Sequence, residues 1–120
     1  MSSNPGDVAA LLPLHPATFH ILLALATDDR HGYGIMQEVE ARTKGALRLS
    51  PGTLYSAIQR LLEQGLIVER RKAPGRAMDP RRRYYSITPF GTAVAQAETR
   101  QLAQLVRMAK GAGLLVPEAL

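Results

Sequence analysis

The chain has 120 residues, room for one small domain or one plus a long helix, and a chain of this size buries only about two-thirds of its surface alone, so a second copy is a natural source of further burial. No cysteine is present, which excludes a disulfide framework, thiolate chemistry and cysteine metal sites. Fifteen Lys and Arg against ten Asp and Glu give a net charge of +5, which draws the molecule to polyanions but leaves DNA, RNA and acidic membranes open.

Residues 1–14 read as an N-terminal arm. Met1–Asp7 lacks a basic leader region and the apolar run Val8–Leu14 is broken by Pro13, so no signal peptide is expected. No apolar stretch reaches the roughly eighteen residues of a membrane helix, and the expectation is a soluble, cytoplasmic protein with no membrane partner. Val8, Leu11, Leu12 and Leu14 are free to pack on a neighbour. A first helix runs from about Pro16 to Ala26, with Phe19, Leu22, Leu23 and Ala26 on one face and Ile21 and Leu25 widening it. The turn Thr27–Gly32 ends it. A second helix, Tyr33–Thr43, buries Ile35, Met36 and Val39 and stops at Lys44-Gly45. Ala46–Leu49 alternates apolar and polar and predicts a short strand. A third helix begins at Ser50, a hydroxyl cap followed by Pro51, and buries Leu54, Ile58, Leu61 and Leu62 before Gly65.

Next comes a basic hairpin. Seven of the fifteen basic residues lie between Arg70 and Arg83 and face one acid, Asp79. Leu66–Arg71 and Arg83–Ile87 read as strands, with breakers at Ala73-Pro74-Gly75 and Asp79-Pro80. A charge run alone is usually a solvated loop; here it sits between two capped helices, the second opening at Thr88-Pro89 and running to about Lys110. Tyr85 and Ile87 share one face of the second strand, with Tyr85 toward the core and Tyr84 opposite. On the last helix Val94, Ala97, Leu102, Leu105, Val106 and Ala109 exceed what one small domain covers and are the dimerisation candidates.

The fold class expected is mainly α with a small antiparallel β-wing: a winged helix-turn-helix over 15–88, a dimerisation helix over 89–110 and a tail over 111–120. Two helices brace a third so that its polar face enters the major groove, while the hairpin straddles neighbouring phosphates. Thr53, Ser56, Gln59 and Arg60 are on or beside that face. Gln59 suits adenine, and Arg60 suits guanine or a phosphate, or else pairs weakly with Glu63. Tyr33, between Gly32 and Gly34 at a helix start, is either a phosphate donor or a core aromatic. Ser50 and Tyr55 complete the helix-borne candidates, and Arg70, Lys72, Arg76, Arg81 and Arg83 are the wing candidates.

These motifs resemble the PadR family of bacterial transcriptional regulators. The matching pieces are Phe19–Leu25, His31-Gly32-Tyr33-Gly34-Ile35, Leu49-Ser50-Pro51-Gly52-Thr53-Leu54-Tyr55, Arg60–Ile67 and Arg82–Gly91. The resemblance implies a homodimeric DNA-binding repressor released by a small-molecule effector or another signal. It points to the short branch with a single C-terminal helix, and the lack of Trp sets the chain apart from multidrug-sensing members.

Nothing points to catalysis. His15 and His20 are five apart and His31 is distant, so no helical metal-ligand spacing exists, and no phosphate-binding glycine loop is present. No cofactor and no enzyme activity are expected. Two alternatives remain open at this level: a winged-helix module that binds an acidic protein, and a double-stranded RNA binder without operator specificity.

Overall fold

Four helix starts are fixed by a side chain that accepts an orphaned backbone N–H. In the computed structural model, which describes residues 5–70 and 82–115, His15 Nδ1 accepts from Ala17 at 3.2 Å, His31 Nδ1 from Gly34 at 3.0 Å, Ser50 Oγ from Thr53 at 3.1 Å and Thr88 Oγ1 from Gly91 at 2.9 Å. Pro16, Pro51 and Pro89 open three of these helices, where a missing donor costs nothing. The order is α1 (Pro5–Ala10), α2 (Pro16–Thr27), β1 (Arg30–His31), α3 (Gly32–Arg42), α4 (Pro51–Glu63), β2 (Ile67–Arg70), β3 (Tyr84–Ile87) and α5 (Pro89–Gly111).

Helix ends are equally local. Gly65 takes a positive φ of 75°, which lets Leu66 N–H reach the Leu61 carbonyl at 3.0 Å and Gly65 N–H the Leu62 carbonyl at 3.1 Å, closing α4 and launching β2. At the end of α3 two successive residues are left-handed, Lys44 with φ 53° and the expected glycine, Gly45, with φ 81°, whose N–H reaches the Glu40 carbonyl at 2.8 Å. Between α2 and α3, Arg30 donates from Nε to the Ala24 carbonyl at 2.8 Å and pairs with Glu38 at 3.6 Å. Arg42 also bonds Glu38, and that hydrogen bond is the main reason the Glu38 carboxyl is held below its ordinary pKa.

The sheet is antiparallel in the order β1-β3-β2. Its β3 centre pairs Tyr85 with Arg30 on one side and Glu69 on the other. The third strand is therefore Arg30–His31 and not Ala46–Leu49, which forms no strand. The alternation at 46–49 comes from Leu47 and Leu49 turning toward the core, with no ladder beside them.

The core gathers Ile21, Leu22, Ala24 and Leu25 of α2, Ile35 and Val39 of α3, and Leu54, Ala57, Ile58 and Leu61 of α4, with Leu66, Tyr85 and Val94 closing it. The buried face of α2 is rotated from the expected one: Phe19 and Leu23 are half-buried and Ala26 is exposed. The arm is helical from Pro5 and lies against the chain's own α5, with Val8, Leu11, Leu12 and Leu14 partly buried on the core. Val94 is fully buried and Ala97 nearly so within the same chain, so neither belongs to the free face of α5. Leu102, Leu105 and Val106 remain exposed, and Ala109 is half-buried.

Thr88 joins wing to helix. Its hydroxyl donates to the Gly65 carbonyl at 2.7 Å, lies 3.1 Å from the Leu66 carbonyl and caps α5. Thr88→Ala is expected to cost about 2 kcal/mol in urea denaturation, a lost cap plus a lost carbonyl partner, and Thr88→Ser much less. Equal losses for both variants would assign the effect to the methyl group.

Candidate nucleic-acid interface

Helical periodicity decides what α4 presents. Leu54, Ala57, Ile58 and Leu61 point inward, and Thr53, Tyr55, Ser56, Gln59 and Arg60 are exposed. Ser50 is occupied at its helix start, since its Oγ takes the Thr53 N–H and lies 3.0 Å from the Thr53 hydroxyl. Gln59 donates to Glu63 at 3.1 Å, so the acid set against Arg60 in the sequence is engaged by Gln59.

Tyr33 is 56% exposed and Tyr55 51%, which places neither in the core. Tyr55 lies over the start of α3: a Cβ built on Gly32 would stand 2.4 Å from the Tyr55 hydroxyl. Only glycine leaves the phenol that position. Around it is a groove of about 420 Å³ lined by His31, Gly32, Tyr33, Tyr55, Arg82, Arg83 and Tyr85. The starts of α3 and α4 and the root of the wing thus share one concavity, and its lining carries no acid among the described residues.

Within the groove, Arg82 Nη1 lies 2.7 Å from His31 Nε2, and the His31 ring meets Tyr84 edge-on with centroids 5.3 Å apart. Arg83 reaches Glu69 at 3.8 Å, an exposed pair of little energetic weight. Burial pushes the Tyr85 phenol above its ordinary pKa, so it stays a neutral floor to the groove. Arg70 ends β2, exposed, opposite Tyr84 in register. Lys72, Arg76 and Arg81, with the two breaker clusters, lie outside the described residues.

The groove brings together Tyr33, Tyr55 and Arg83, three of the residues expected to contact DNA, with Gly32 beside Tyr33, and it adds His31 and Arg82, which were not among the expected contacts. A histidine immediately before Gly-Tyr-Gly at a helix start is a capping signal, and it was the available clue. Among the described residues no His, Cys, Asp and Glu group is arranged to hold a metal ion, and no helix is long and apolar enough to cross a membrane.

Residues 21–97 match the model of the transcriptional regulator PadR-like family. The transcriptional regulator Rv3488 of Mycobacterium tuberculosis is 40% identical over 93 residues, covering 77% of this chain and 80% of that one. Among solved structures, a transcriptional regulator from Clostridium thermocellum superposes with a TM-score of 0.66 at 23% identity, covering 90% of this chain and 95% of the other. Bacillus subtilis PadR in complex with operator DNA superposes with a TM-score of 0.57 at 20% identity, over 75% of this chain and 48% of its own.

Proposed function

This chain belongs to the PadR-like family of transcriptional regulators, so it is a DNA-binding regulator and not an enzyme, and we propose that it acts as a homodimeric repressor, released from its operator by a small molecule or another signal. The observation that carries the DNA-binding geometry is the shared groove: Tyr55 of α4 and Arg82 and Arg83 of the wing line one concavity. Gln59 is one helical turn beyond Tyr55, so the polar face of α4 and the wing cations address the same duplex.

In this reading α4 enters the major groove. Gln59 pairs with adenine, Arg60 with guanine or an adjacent phosphate, and Thr53 and Ser56 contact base edges. Tyr33, Tyr55 and Ser50 register the helix on the backbone, and Arg70 and Arg83, with Lys72, Arg76 and Arg81, neutralise flanking phosphates. The operator bound by the B. subtilis relative is the model for the ligand class. Dimerisation uses the exposed Leu102, Leu105 and Val106 of α5, with Ala109 at the edge.

Selection of bound duplexes from a random pool tests the reading. The expected product is one palindrome with half-sites about one helical turn apart. Affinity should fall about a thousandfold or more between roughly 50 and 200 mM salt. Arg81→Ala with Arg83→Ala should weaken binding to every sequence and flatten the salt dependence, whereas Gln59→Ala should change the preferred base. Equal binding to any DNA duplex, or preference for double-stranded RNA, would overturn the repressor reading. A wing pair that alters base preference would reverse the two roles.

A further inference from the structure

β1 joins the wing to the start of α3, and it is two residues long. Arg30 and His31 pair with Tyr85 and Tyr84 of β3, and the chain enters α3 at the next residue. So short a ladder carries few backbone hydrogen bonds, each weak once exchange with water is counted, and the strand needs another anchor. The Arg30 side chain provides it. Its Nε donates to the Ala24 carbonyl at 2.8 Å, its Nη2 donates to the Thr27 hydroxyl at 3.3 Å, and its Nη1 lies 3.6 Å from Glu38 Oε1. Arg42 closes the cluster from α3, donating from Nε to Glu38 Oε2 and from Nη2 to the Thr27 hydroxyl at 3.0 Å. That hydroxyl is fully used, with two guanidiniums donating to it while it donates to the Ala24 carbonyl at 3.4 Å.

Glu38 is half-buried and shared by the two arginines, one carboxylate oxygen to each, and none of the three residues lines the groove at the wing root. We propose that Glu38 is a positioning residue for operator recognition: by holding Arg30 against α2 and α3 it fixes β1, and through the β1–β3 pairing it fixes the spacing between the wing and α4. This role rests on the DNA-binding reading above. A protein that reads bases with one element and grips phosphates with another is selective only when both reach one duplex in register. A loosened β1 leaves every contacting side chain present but lowers the fraction of molecules that present them together, and apparent operator affinity falls with that fraction. Non-specific binding follows charge and needs no fixed spacing.

The sign of the effect separates positioning from simple electrostatics. Glu38→Gln raises the net charge from +5 by one, so charge alone tightens binding to every duplex. The amide that replaces the carboxylate has one acceptor oxygen and cannot serve both guanidiniums, which only donate. Fluorescence anisotropy with the full chain is expected to show affinity for the selected operator about tenfold weaker, the scale of one lost charged hydrogen bond, with affinity for a random duplex unchanged or slightly tighter. Glu40→Gln removes the same charge from the same helix, where Glu40 pairs with an exposed Arg48 at 3.6 Å, and is expected to keep the operator-to-random ratio. Operator affinity retained in Glu38→Gln, or lost in the same proportion as random-duplex affinity, would overturn the role. So would a Glu40→Gln ratio that falls as far.

Should Glu38→Gln fail to fold, two substitutions that keep the net charge decide the matter. Arg30→Lys replaces the planar fork by a single ammonium, which cannot reach Ala24, Thr27 and Glu38 together. Thr27→Val removes the hydroxyl on which both arginines converge. Each is expected to lower the operator-to-random ratio severalfold, and Thr27→Ser, which keeps the hydroxyl, to hold it at the wild-type value. A wild-type ratio in either Arg30→Lys or Thr27→Val would overturn the proposal. Wild-type chain that shows no sequence-dependent binding would remove the underlying reading itself, an outcome seen before any variant is made.

Discussion

Gly91→Ala should destabilise the domain by about 3 kcal/mol, at the upper end of what overpacking costs. Gly91 is buried in the first turn of α5, and a Cβ there would stand 2.0 Å from the Leu66 carbonyl oxygen and 2.9 Å from Ile87 Cγ1. The Leu66 oxygen is not free to retreat. It accepts the Thr88 N–H at 3.0 Å and lies 3.1 Å from the Thr88 hydroxyl, so backbone must separate at the junction of α4, wing and α5. Urea denaturation reads the loss as a lower midpoint at unchanged slope. Gly32→Ala makes a useful contrast. Its Cβ collides with the far end of an exposed tyrosine, which swings aside with little effect on stability. Wild-type stability in Gly91→Ala would mean that α5 tilts away from Leu66 without cost.

The same junction shows why parts of this fold were legible in the sequence. Ser50-Pro51 and Thr88-Pro89 mark helix starts because a cap and a proline act within three residues of each other, and both starts are found where that chemistry puts them. The strands of the wing carry their own apolar and β-branched residues, and Tyr85 is buried as its alternation implied. β1 has no such signal. Arg30 and His31 become a strand only because β3 offers them a partner more than fifty residues away, a non-local cause that periodicity does not record. Ala46–Leu49 errs in the opposite direction, with alternating burial and no partner strand. The groove was half legible for a related reason. Tyr33 and Tyr55 stand out by type, but the pairing of His31 with Arg82 depends on β1 lying against β3, which brings the α3 start to the wing root.

Leu105→Glu should abolish the proposed dimer while leaving the protomer folded. α5 is 23 residues long, about 35 Å at 1.5 Å per residue, and its two halves do different work. Val94 and Ala97 bind the first half to the chain's own core, whereas Leu102, Leu105 and Val106 form an i, i+3, i+4 stripe that the protomer leaves 40%, 57% and 52% exposed. Because Leu105 is already in water in the single chain, a carboxylate there costs the isolated fold little. Across a two-fold axis the substitution appears twice in one interface, where each unpaired carboxylate loses several kcal/mol of hydration. Sedimentation equilibrium should show dimer dissociation favoured by about a thousandfold or more, roughly 4 kcal/mol. Operator binding should fall to the affinity of one half-site, because a monomer brings one α4 to a palindrome built for two. A Leu105→Glu chain that still sediments as a dimer would move the interface off this stripe, and the arm packed along α5 would be the next surface to test.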